Sequence, residues 1–182
     1  TVKTVTINYT TSPGAAALQW LNAQQTKDKK HPFLFTQSQA ILCRTWIPTQ
    51  DGPGTRFTFD AIVQVPVGMM ALMSAENPQQ TAPDGIYHFK MEQPIPSYLM
   101  SLAVGDLGFQ SVGTETGVYA EKSFVAACAE ELSDMQTMLE KAEQLYGKYQ
   151  WGRYDVIVLP PSFPFGGMEN PRITFATPTI IA

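Results

Sequence analysis

The chain has 182 residues, 44% of them hydrophobic and 15% charged, with a formal net charge of −4. That length and balance suffice for a sizeable core and are those of an ordinary globular protein. They exclude two classes: no cluster of Lys or Arg makes a nucleic-acid footprint, and no apolar run approaches the ~20 residues that span a bilayer.

The opening residues 1–10, "TVKTVTINYT", alternate, with Val5, Ile7 and Tyr9 on one side. That is the period of a half-buried strand. A Ser-Pro-Gly turn follows at 12–14. "KDKK" at 27–30 is the only basic run and, among turn-like polar residues, reads as a solvated loop. Residues 56–67, "RFTFDAIVQVPV", alternate again and put Phe57, Phe59, Ile62, Val65 and Val67 inward, with a slip of phase near Ala61 that would suit a β-bulge. "GMMALMSA" and "GIYHFKME" read as two strands around the polar turn "ENPQQTAPDG". "SYLMSLAVGDL", residues 97–107, is nearly continuous apolar, as in a strand covered on both faces. Residues 1–107 therefore read as a β-sheet domain.

After "VYAEKSF" the period changes. Leu132, Met135, Leu139, Ala142 and Tyr146 recur at three and four, a helical pattern. Ser133 and Gln136 have the spacing of a capping box, and Gly147 that of a C-terminal stop. "YDVIVLPPSFP" is then a short strand running into a double proline, which ends ladder donation and requires an edge or a loop after it. Strand, helix, strand from 108 to 182 marks the start of an α/β unit, so the fold class is mainly β with an α/β beginning of a second domain. Cys43 and Cys128 make neither a disulfide framework nor a zinc spacing; read as reduced thiols, they point to a cytoplasmic or similarly reducing compartment.

One stretch carries chemistry. In "FGGMEN", residues 165–170, two glycines remove both side chains and let a ligand approach the backbone. An extended edge there could take a peptide as an added strand, and Glu169 beside it could hold a free α-ammonium. The same letters also describe a surface hairpin, with a Gly-Gly turn and a solvated Glu. In the same way "TQSQA", residues 36–40, is on its face a polar edge strand.

"GGMEN" resembles the G-x-M-E-N signature of the gluzincin zinc aminopeptidases, the group that contains aminopeptidase N. The wider chain is similar to the leukotriene A4 hydrolase and aminopeptidase B branch, through "HPFLFTQSQAILCRTWIP", "PIPSYLMSLAVG", "QWGRYD" and "YDVIVLPPSFPFGGMENPRITFATPTIIA". The resemblance implies the latter part of a saddle-like N-terminal β-domain, followed by the first strands and helix of a thermolysin-like catalytic domain. It implies that Glu169 binds the substrate's α-amine and that the backbone of Gly166, Gly167 and Met168 lies along the substrate. Gln39 would line the first specificity pocket, with Gln37 on the same face if the segment is a strand. Phe165 would be an apolar wall; the branch typically has tyrosine there, and without the hydroxyl the epoxide chemistry of some members is not carried over.

The family's zinc is implied for the full-length parent, on two histidines of H-E-x-x-H and a later glutamate, with the motif's own glutamate as general base and a tyrosine at the oxyanion. This chain contains only His31 and His88, far apart, and no H-E-x-x-H. The expectation is therefore an internal fragment with no metal site of its own, inactive alone, whose zinc ligands lie downstream of Ala182. Its partners would be peptides with a free N-terminus and the remainder of its own polypeptide. The alternative is a non-catalytic peptide-binding or scaffold module.

Overall fold

The computed structural model describes residues 3–181. In chain order the strands and helices are β1 (Leu18–Leu21), β2 (Phe33–Thr36), β3 (Arg56–Gln64), β4 (Met70–Met73), β5 (Ile86–Pro96), β6 (Leu102–Gly105), β7 (Leu107–Ser111), β8 (Thr116–Glu121), α1 (Val125–Glu131), α2 (Met135–Tyr146), β9 (Tyr154–Val158), β10 (Gly167–Met168) and β11 (Ile173–Ala176). They form a four-stranded antiparallel sheet β1-β2-β6-β4, a two-stranded ribbon β3-β5 and a five-stranded sheet β10-β11-β9-β8-β7. The last is mixed: β8, β9 and β11 run parallel, with antiparallel β7 and β10 at its edges. Parallel neighbours need a long crossover, and the two helices provide it between β8 and β9.

One core joins the sheets. Phe35, Leu72 and Ala103 of the first sheet pack in the same cluster as Phe89 and Met91 of the ribbon and Tyr119, Ile157 and Phe175 of the third sheet. A second, smaller cluster lies under the helices around Val118, Cys128 and Met135. The Glu121 carboxylate at the end of β8 adds a polar clasp, accepting the Lys27 and Asp28 backbone N–H groups at 2.7 and 2.8 Å. The "KDKK" loop is thus tied to the third sheet through its backbone, and two of its side chains dock beside α1: Lys27 Nζ stands 4.4 Å over the Phe124 ring, and Asp28 accepts the Ser123 hydroxyl.

Several sequence expectations are corrected. Residues 3–10 pair in no ladder, and Val5, Ile7 and Tyr9 are exposed, Val5 by 72%. Alternation alone cannot bury a face; a strand needs a neighbour, and this segment has none among the described residues. In β3 the odd positions from Phe57 to Val63 face inward without a break, as does Val65 just after it, so Ile62 and Val67 point out, 71% and 74% exposed. The ladder slips not at Ala61 but between Phe57 and Phe59, where the extra residues belong to β5. Pro94 lies in that stretch and has no N–H to donate. Residues 97–107 are not one strand: a 3-10 turn at Ser97–Leu99 precedes β6, and Leu107 opens β7.

The helical pattern resolves into two helices, and the Ser133–Gln136 capping box does not form. Asp134 occupies the N-cap without a side-chain bond. Gln136 instead reaches back to β8, accepting from the Glu115 N–H at 3.1 Å and the Thr116 hydroxyl at 3.2 Å. Gly147 does end α2, at φ 90°, a left-handed value that favours glycine.

Candidate functional site

The double proline does what its chemistry dictates. β9 stops at Val158, the chain turns through Pro160–Ser162, and it returns as β10, the outermost strand of the third sheet. Gly167 and Met168 pair with Ala176 and Phe175, and Thr177 N–H donates to the Gly166 carbonyl at 3.2 Å. In an antiparallel ladder bonded and non-bonded pairs alternate, so Gly167 turns its N–H and C=O away from β11. No further strand covers that side among the described residues. The backbone there is a free edge.

Side chains alternate across the same strand. Met168 enters the core, 3% exposed, while Gly167 and Glu169 lie on the exposed face. The two glycines differ. A Cβ on Gly166 would meet nothing within 4 Å, whereas one on Gly167 would stand 3.1 Å from the Phe175 carbonyl oxygen. Glu169 is exposed and joins none of the ion pairs of the described residues. Its neighbour Asn170 is buried, with an amide nitrogen that has no hydrogen-bond partner.

The glutamines sit differently from a strand. β2 ends at Thr36, and the chain turns at 39–42. Gln37 is buried, its N–H donating to Ala17 O at 2.9 Å and its side-chain oxygen accepting the Gln39 N–H at 3.2 Å. Gln39 is exposed, and its peptide bond to Ala40 is cis. The two side chains therefore do not share a face: Gln37 braces the turn and Gln39 is presented. Between them Ser38 is buried and accepts the Trp46 indole N–H at 3.1 Å.

Beyond the turn, Asp51 accepts from the Arg44 backbone N–H at 2.9 Å, the Arg44 Nε at 3.3 Å and the Ser97 hydroxyl at 2.5 Å. Burial pushes the Asp51 carboxyl up, but the bonds from Ser97 and Arg44 outweigh it and hold the group below its ordinary value.

An aromatic chain connects the two segments. Phe35 of β2 and Phe163 of the loop before β10 meet edge to face, with centroids 5.4 Å apart, and Phe163 meets Phe165 in the same way at 5.9 Å. Phe163 is buried and Phe165 half exposed. Sequence reading picked out Phe165 but missed Phe163; the Phe-Pro-Phe spacing, one ring in and one ring out, was the available signal. The arrangement is an open edge, not a closed pocket. A groove of about 860 Å³ is lined by parts of β3, β5 and residues 76–82, and by none of Gln37, Gln39 or 165–169.

Among the described residues no group of three or more His, Cys, Asp or Glu could hold a metal ion. His31 lies on a loop, its Nε2 3.9 Å from Asp106, and His88 sits within β5. No helix of the described residues is long and apolar enough to cross a membrane.

Residues 1–99 match the Peptidase M1 N-terminal domain and residues 130–182 the Peptidase family M1 domain. The chain is 49% identical to a leukotriene A-4 hydrolase of Xenopus laevis over 98% of its own length and 30% of that protein's. It is 47% identical to aminopeptidase B of Rattus norvegicus, over 90% of the chain and 25% of the relative. Among solved structures, native yeast leukotriene A4 hydrolase superposes with a TM-score of 0.87 at 39% identity, covering 94% of this chain and 27% of that one. The chain thus spans under a third of the length of these relatives, in the N-terminal domain and the first part of the catalytic domain. It belongs to peptidase family M1.

Proposed function

We propose that this chain is the substrate-recognition part of a zinc-dependent aminopeptidase that removes N-terminal residues from peptides. The observation that carries the reading is Glu169: an exposed, unpaired carboxylate immediately after a two-residue edge strand whose outer backbone is free. A peptide added along Gly166, Gly167 and Met168 would exchange backbone hydrogen bonds with that edge. Glu169 would then fix the peptide's end by a charge-assisted bond to its α-ammonium, which selects free N-termini over blocked ones. Gln39 contributes amide groups to the first pocket, Gln37 holds the turn that presents it, and Phe165 supplies an apolar wall. The division at 107 and 108 places the glutamines in one domain and the edge strand in the other.

The named activity of relatives such as aminopeptidase B supports the peptidase reading. Zinc belongs to the full-length parent in this proposal. The described residues include no group of three or more His, Cys, Asp or Glu that could hold it; in this reading their role is recognition, with the chain by itself inactive. Two free, buried cysteines fit a cytoplasmic or otherwise reducing location.

The test is Glu169→Gln in the full-length parent. Losing one partner of a desolvated charge pair costs about 2 kcal/mol or more, so efficiency on unblocked aminoacyl substrates should fall roughly 30-fold or further. Unchanged efficiency would overturn the amine role.

A further inference from the structure

A cavity of about 190 Å³ lies at the seam between the first and third sheets. Residues 75–77, which follow β4, line one side, and Gly152, Arg153, Asp155 and Arg172 line the other. Most of its polar groups are already engaged. The Asn77 amide donates to Met73 O at 2.8 Å and Ala75 O at 3.0 Å and accepts the Met73 N–H at 2.8 Å. Arg153 is held by Asp155 at 3.0 Å and by Thr114 O at 3.0 Å. Two charges remain, Arg172 and Glu76, and neither enters an ion pair among the described residues. Glu92, another carboxylate that acts on Arg172, is taken by Lys90 at 2.6 Å.

Arg172 is unusual in two further ways. Its Nε is buried without an acceptor. Its backbone has φ 68°, at the third position of a turn closed by Ile173 N–H to Asn170 O at 3.2 Å, where glycine or asparagine is the low-energy choice. A long charged side chain without a partner, on a residue whose backbone is held in a disfavoured conformation beside a cavity, is the mark of a binding group. Across from it Gly152 is bare: a Cβ there would stand 3.5 Å from an Arg172 guanidinium nitrogen.

The charges select the ligand. Arg153 and Asp155 cancel, which leaves one cation and one anion on opposite walls. A simple anion would be repelled by Glu76 and a simple cation by Arg172, whereas a molecule carrying both charges satisfies both. The volume is that of about six waters, the size class of a single amino acid. We propose that this cavity binds a free α-amino acid as its zwitterion, with the carboxylate on Arg172 and the ammonium on Glu76. The inference does not depend on the role of Glu169, although a free amino acid is the product class of the hydrolysis proposed above.

The test is an amide NMR titration of the chain with L-leucine, N-acetyl-L-leucine and L-leucinamide. Leucine should give saturable millimolar shifts at Asn77, Gly152 and Arg172, and each blocked form should bind at least tenfold more weakly. Glu76→Gln and Arg172→Gly should each weaken leucine tenfold or more. Arg172→Gly also relieves the backbone, so a raised melting temperature certifies its fold. Glu169→Gln should leave the shifts at the cavity unchanged. No saturable shift at these amides, equal binding of a blocked form, or full binding by Arg172→Gly would overturn the proposal.

Discussion

The Phe163 ring stands edge-on to that of Phe35 at 5.4 Å and 77°, and this contact is where the loop before β10 meets the strand that leads to the glutamine turn. Both rings are almost fully buried in the shared core. Removing one leaves a cavity that close-packed neighbours fill only in part. Phe163→Ala should therefore lower stability by roughly 3–5 kcal/mol, and Phe163→Leu by clearly less. Urea unfolding of the three proteins checks this; an alanine variant as stable as the parent would show that the contact does not hold the seam.

Glu169 should behave in the opposite way. It is exposed and pairs with no group among the described residues, so Glu169→Gln should change stability by no more than about 0.5 kcal/mol. A thermal melt settles it. A large loss would give the carboxylate a structural role and weaken its assignment to substrate.

The contrast between these residues shows what was legible in the sequence. Elements whose period and partners are both local, such as the edge after Pro160–Pro161, were readable, because proline chemistry alone forces them. The M-E-N motif was readable by resemblance. Residues 3–10 were not: alternation reports which face could be buried, and burial needs a neighbour supplied by the rest of the fold. Gln136 has capping-box spacing, yet its amide oxygen accepts from Glu115 and Thr116 at the start of β8 instead, a long-range competition that no local pattern reveals. Phe163 packs on Phe35, and Arg172 lines one cavity with residues 75–77, both across long sequence separations. Their roles appear only once the sheets are assembled.

The Asp51 network carries a pH signature. An acid whose folded pKa lies below its unfolded one stabilises the fold above the unfolded value and loses that contribution as pH falls through the folded value. Asp51 is such a group, so its contribution should be complete at neutral pH and fade below about pH 4. Asp51→Asn should be less stable than the parent by roughly 2 kcal/mol at pH 7, and the gap should narrow toward pH 3. A gap that stays constant between the two pH values would show that the carboxylate's charge is not what braces Arg44 and Ser97.

The two glycines of the edge strand make separable predictions although they are adjacent. A Cβ on Gly166 enters open space, so Gly166→Ala should fold as the parent does, or slightly better, because alanine restricts the unfolded chain. A Cβ on Gly167 would crowd the Phe175 carbonyl at 3.1 Å, and the carbonyl belongs to the ladder that holds β10 in place. Relief requires β10 to move by a few tenths of an ångström, at a cost of about 1 kcal/mol. Gly167 also carries the outward N–H and C=O of the free edge, so the same shift misaligns the bonds that an added peptide would make. In the full-length parent Gly167→Ala should raise KM for unblocked peptides well beyond any change caused by Gly166→Ala, and urea midpoints of the isolated chain should rank the variants in the same order. Equal KM values for the two variants would mean that the substrate does not lie along this strand.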